Sequence, residues 1–122
     1  MLAVAARNIA DAVIIGVSTD ARVGFAHAVV LAVAASALAA EGYRAGKDRH
    51  HERLLDSLQY SIGIETTLLK QLHAVRRARN AMTYERLGDT TPAEADGIVA
   101  RAREVYGLVI KWIRSNHPAL LT

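Results

Sequence analysis

Apolar positions recur along this chain at helical spacing and nowhere alternate singly with polar ones as in a strand. They divide it into five helical segments. The first spans Leu2 to Ile15 and closes near Gly16. Ser18, Thr19 and Asp20 all suit the N-cap of the second, because each carries a short side-chain acceptor. That segment runs through Ala40 and stops at Gly42, where the missing Cβ permits a left-handed cap. "YRAGKDR" is a polar connection. "HHERLLDSL" predicts a short third helix with Leu54, Leu55 and Leu58 inward, and "QYSIGIE" breaks it at Gly63, a residue unfavourable inside a helix.

The fourth segment starts near Glu65 and continues at least to Met82. Its apolar seam is Leu68, Leu72, Val75 and Met82, and the missing member of the series, position 79, is arginine. After the turn "RLGDT", Thr91 is an N-cap, Pro92 stands at the first helical position and Glu94 closes a capping box. The fifth segment places Ile98, Ala102, Val105, Val109 and Trp112 on one stripe and frays over Ser115 to Pro118. Short connections favour antiparallel neighbours. The expected fold is all-α, an up-and-down antiparallel bundle of about five helices in a single domain, 1–122.

Composition supports that picture. Of 122 residues, 52% are hydrophobic and 22% charged, with only two prolines, a globular and helix-favouring balance. "VGFAHAVVLAVAASALAA", from Val23 to Ala40, carries no formal charge. It falls short of the roughly 20 apolar residues of a membrane span, consists mainly of small residues, and is interrupted by His27 and Ser36. It reads as a central bundle helix touched on every side, so no membrane association is expected. Its hydrophobicity predicts a homodimer, because one small bundle is not expected to bury all of it.

The N-terminus has no basic region and carries Arg7, Asn8 and Asp11 where a signal peptide would be unbroken. With no cysteine, disulfides and thiolate metal sites are excluded and a cytoplasmic location is expected. The formal charge of +3 permits a nucleic-acid or acidic-protein partner.

The chemistry concentrates in "RRARNAMTYE", residues 76–85. Arg79 occupies a packed-face position. An unpaired buried guanidinium costs several kcal/mol, on the order of 3–5, so Arg79 must reach the core's edge, meet an acidic partner or line a cleft. His73, Arg77, Asn80 and Tyr84 follow at spacings of four, three and four and form one stripe, with Arg76 beside it. Arg76, Arg77, Arg79 and His73 are the candidate nucleic-acid contacts, since such cations hold phosphates by charge-assisted hydrogen bonds. Tyr84 can stack on a base. The competing reading is a solvated basic last turn, favoured by the helix dipole.

His50 and His51 are adjacent, so in a helix they point about 100° apart. A two-histidine metal site on one helix wants a spacing of three or four. Neither a metal nor any other cofactor is expected; one of the pair caps the short helix or packs on the "GYR" turn. His27 is expected to be a satisfied core or interface histidine.

With these residues in place, the chain resembles the HEPN-domain family of small, mostly five-helix bundles. "RVGFAHAVVLAVAASALAAEGYR" is similar to the family's long second helix, "RHHERLLDSL" to the short helix after it, and "TTPAEADGIVARAREVYGLVIKWI" to the final helix. "RRARNAMTYE" matches the location of the family signature. In RNase members that signature is Arg, a polar residue, several variable residues, then His, and two protomers join these groups in a cleft that cuts RNA without a metal. The resemblance implies Arg79, Asn80 and Tyr84 as catalytic positions. Tyr84 stands where the histidine belongs, and a phenol with a pKa near ~10 is a poor general base. Arg79 and Tyr84, five residues apart, converge only if the helix ends or bends near Thr83. The implied function is an RNA-contacting module or a weak metal-independent endoribonuclease of toxin–antitoxin type. The alternative is a non-catalytic interaction module that partners a nucleotidyltransferase or another protein.

Overall fold

The computed structural model describes residues 2, 6, 7, 18–44, 46, 50–84 and 90–121, with the side chains of 81–84 and 121 outside that description. Among the described residues there is no strand. There are four helices longer than one turn: α1 (Thr19–Ala40), α2 (His50–Asp56), α3 (Thr66–Tyr84) and α4 (Pro92–Asn116). A one-turn continuation, Leu58–Ser61, follows α2, and a 3-10 turn, Pro118–Leu121, follows α4. The protein is all-α as the pattern predicts, with four such helices described rather than five. The first predicted segment, 2–15, lies outside the described residues apart from Leu2, Ala6 and Arg7, and Leu2 packs against the core.

The predicted punctuation is present. The Ser18 hydroxyl accepts the Ala21 N–H at 3.1 Å and caps α1. Gly42 takes φ 85° just beyond α1, and Gly63 takes φ 66° at the break before α3; both are left-handed conformations that cost a glycine little. The capping box of α4 is closed: Thr91 Oγ1 accepts from the Glu94 N–H at 3.1 Å, and Glu94 Oε1 accepts from the Thr91 N–H at 3.4 Å.

Helix α1 is the axis of the bundle. Val29, Val30, Val33, Ala34 and Ala37 meet Leu54, Leu55 and Leu58 from the α2 region, Leu68, Leu69 and Leu72 from α3, and Val105, Val109 and Ile113 from α4. It has the length and composition to cross a membrane, yet in this fold it is packed by α2, α3 and α4. Of its residues only Ala39 is exposed.

On α4 the buried stripe is Ala95, Val99, Ala102, Val105, Val109 and Ile113, while Ile98 and Trp112 are only half-buried. The predicted stripe repeats every 3.5 residues; the observed one advances 18 residues in five turns, the 3.6 of a straight helix. The two agree at the middle and separate at both ends.

Ion pairs give the helix directions. Arg22 pairs with Asp96 near the starts of α1 and α4, and His117 Nε2 lies 3.8 Å from Glu41 Oε2 at their ends, so these two helices are parallel. Helix α3 runs the other way, bringing Arg79 beside Gly24 at the start of α1. Asp56 at the end of α2 meets His73 midway along α3, while His51 at the start of α2 lies near Arg76. Thus α2 is antiparallel to α3 and points the same way as α1. Antiparallel order holds from α2 through α4. Residues 41–49 can reach about 30 Å, enough to return along the roughly 20 Å of α1 that separates Ala40 from the level of His27.

Candidate nucleic-acid interface

Three helices deliver polar side chains to the end of the bundle where α1 begins and α3 finishes. The apolar seam of α3 is buried at Leu68, Leu72 and Val75; the side chain of its last predicted member, Met82, lies outside the described residues. Arg79, next after Val75 in the series, is half-buried. Its Nε lies 3.6 Å from the point a Cβ on Gly24 would occupy, so the bare surface of α1 at that glycine accommodates the guanidinium. Arg79 therefore stands at the edge of the core.

Arg76, placed by spacing only beside the polar stripe, is at the centre of the surface. Together with His50, His51, Glu52 and Asn80 it lines an open cleft of about 350 Å³. With Glu52, Lys70, His73 and Arg77 it lines a second depression of about 250 Å³. Arg76 and Glu52 belong to both. Across the two depressions stand three permanent cations, Lys70, Arg76 and Arg77, against one carboxylate, Glu52.

His73 is tied into the fold. Its Nε2 meets Asp56 Oδ1 at 2.8 Å, and its Nδ1 faces Arg76 Nε at 3.3 Å. In the tautomer that satisfies both, Nε2–H donates to the carboxylate and Nδ1 accepts from the guanidinium. This chain, Asp56 to His73 to Arg76, holds the arginine in place. Both ring nitrogens of His73 are thus engaged within the fold.

The catalytic candidates are divided by the geometry. Asn80 is exposed on the larger cleft, whereas Arg79 is turned to α1. Helix α3 continues unbroken through Tyr84, so the backbone positions of 79 and 84 stay about 140° apart around the axis. The described helix ends at Tyr84, one residue past Thr83. The Tyr84 side chain lies outside the described residues.

Spacing does not reveal the histidine cluster. His27 is 7% exposed, a core position as expected, and its Nε2 has no hydrogen-bond partner among the described residues. Its ring meets the edge of His51, centroids 5.5 Å apart, and His51 in turn lies 5.8 Å from His50. Burial, then the neighbouring His51, Arg79 and Arg76, lower the pKa of His27 to about 4. Burial first, then His50 and Arg76, lower that of His51 below its ordinary 6.5. His50 Nδ1 hydrogen-bonds the Gly46 carbonyl at 3.2 Å, which is neither the helix cap nor the contact with the "GYR" turn expected of one member of the pair. Among the described residues no three histidine or acidic side chains come together as a metal site. Neither His27 nor His51 is near residue 76 in sequence, so only the assembled bundle could have marked them.

No known family model matches this chain, and no curated protein or solved structure does either.

Proposed function

We propose that this chain is a HEPN-like RNA-contacting protein in which the surface between α2 and α3 holds the sugar–phosphate backbone. The observation that carries this reading is the pair of adjoining depressions hinged on Arg76, with Lys70 and Arg77 on one side and Asn80, His50 and His51 on the other. A guanidinium preset by the His73–Asp56 chain loses little freedom on meeting a phosphate. The exposed amide of Asn80 and the imidazoles supply further hydrogen-bonding groups beside it. The surface spans two successive depressions, a shape suited to an extended polyanion. Its net positive charge comes from permanent cations, so binding weakens steeply with salt.

The test is RNA affinity across a salt series. Arg76→Ala with Arg77→Ala is expected to weaken binding and to reduce the salt slope by about 0.7 for each single-strand phosphate that is no longer neutralised. These two arginines are better probes than Arg79, whose truncation also exposes the α1 surface it covers. Equal affinity and slope in wild type and double variant would overturn the assignment and leave the protein-interaction reading.

A further inference from the structure

On the other flank of α3 from the cationic depressions, α3 and α4 leave a groove between them. Toward the start of α4 it is a cavity of about 390 Å³ between Ala74, Val75 and Ala78 of α3 and Gly97 and Ile98 of α4. Farther along α4 it is a cavity of about 260 Å³ lined by Leu68, Glu104, Leu108 and Trp112. Beside this groove α4 presents Glu94, Gly97, Arg101, Glu104, Leu108 and Lys111. Their spacings alternate three and four, which is the seam of a two-helix coiled coil. All are exposed except Arg101, which is half-buried.

Two of these positions are unlike a solvated face. Leu108 is 41% exposed, an apolar side chain set among charges. Gly97 stands inside a helix, where glycine is unfavourable. A Cβ there would meet nothing within 4 Å, so no neighbour within the fold requires the glycine.

We infer that this face of α4 is the interface with a second copy of the chain, packed antiparallel about a two-fold axis. Reversed against itself, the seam is its own complement. Glu94 faces the partner's Lys111, Gly97 faces the partner's Leu108, and Arg101 faces the partner's Glu104; the two-fold repeats each pair. The partner's Leu108 enters the larger cavity over the bare backbone of Gly97, against the alanines of α3. On the flank of the seam away from α3 stand Ala93, Ala100 and Gly107, small enough to let two helix axes come close. Arg101 Nε lies 3.2 Å from Glu104 Oε2 of its own helix, yet it makes no hydrogen bond. The two-fold sets a second such pair beside the first, so that charges alternate around the axis. This order selects a second copy over an unrelated helix, because every charge finds its opposite in the same sequence reversed. Lys70, His73 and Arg77 face away from the groove and stay open in the dimer, so the inference is independent of the RNA-contacting reading.

The test is the mass of the full chain in solution, by light scattering and sedimentation equilibrium at micromolar concentrations in low and high salt. Wild type is expected at twice the 13.2 kDa of the chain. Salt should weaken its association, since the seam is mostly charged. Gly97→Leu fills the space the partner's Leu108 would enter and is expected to lower the association constant at least ~10-fold. Its Tm should be equal or higher, because leucine is the better helix former. Arg101→Glu and Glu104→Arg each set like charges face to face across the axis, and each is expected to be monomeric alone. Mixing the two variants should restore a dimer, because each charge then meets its opposite; a defect within one helix is not repaired by mixing. Circular dichroism confirms that every variant is folded. A wild type that stays monomeric overturns the inference and leaves the groove to another occupant. A dimer that Gly97→Leu or the charge variants leave as tight as wild type overturns it as well, as does failure of the mixture to associate.

Discussion

Helix α1 is packed along two seams that differ in kind. Against α4 the contact is apolar along its length, from Val99 through Val105 and Val109 to Ile113, with Arg22–Asp96 at one end and Glu41–His117 at the other. Against α3 the shared apolar cluster runs to Leu72, and the last turns bring Arg76 and Arg79 to Gly24 and His27. The first seam buries whatever it can and leaves charge to the rim. The second gives up burial where it would be easiest to continue, placing two guanidinium groups and an unsatisfied imidazole where aliphatic side chains would pack. The first seam is held by burial, and the second trades burial for polar contacts such as Arg76 to His73.

The comparison can be broken at its apolar end. Leu72→Ala removes a fully buried side chain shared by α1 and α3 and is expected to cost about 2–5 kcal/mol, read from denaturant unfolding. A cost under ~1 kcal/mol would mean that the lower α3 seam is no tighter than the polar end.

The next effect depends on pH. The folded-state pKa of His27, about 4, lies below the 6.5 of the unfolded chain. Its contribution is therefore fully present above pH 6.5 and is lost as pH falls toward 4. The window is worth about 3 kcal/mol. His27→Leu should flatten the acid side of the stability profile, seen as a smaller fall in Tm between neutral and mildly acidic buffer. Identical profiles for the two proteins would show that His27 carries none of the acid sensitivity.

The smallest effect concerns Gly24. A Cβ there meets Arg79 Nε at an ordinary 3.6 Å. Gly24→Ala is therefore expected to stabilise by up to ~1 kcal/mol through helix propensity alone and to leave RNA affinity unchanged. Destabilisation would show that the arginine needs closer approach than that distance suggests.

Much of the architecture was legible locally. The caps at Ser18 and Thr91, the stops at Gly42 and Gly63, and the inward Leu54, Leu55 and Leu58 each follow from backbone chemistry or from apolar spacing within a few residues. The interrupted seam at Arg79 was also visible. What it faced was not, because spacing tells which side of a helix a residue occupies and not which neighbour waits there. The shift from Ile98 and Trp112 to Val99 and Ile113 was missed because a repeat of 3.5 and one of 3.6 diverge only over several turns.

The sequence by itself determined an all-helical chain, its punctuation, and an arginine on a greasy edge, since these depend on interactions within one or two turns. Only the tertiary structure decided that α2 points the same way as α1, and so brings His51 over His27 and opposite Arg76. That meeting joins residues 27, 51 and 76. It depends on the direction of the chain after residues 41–49 and on three helices packing at once, which no local pattern encodes.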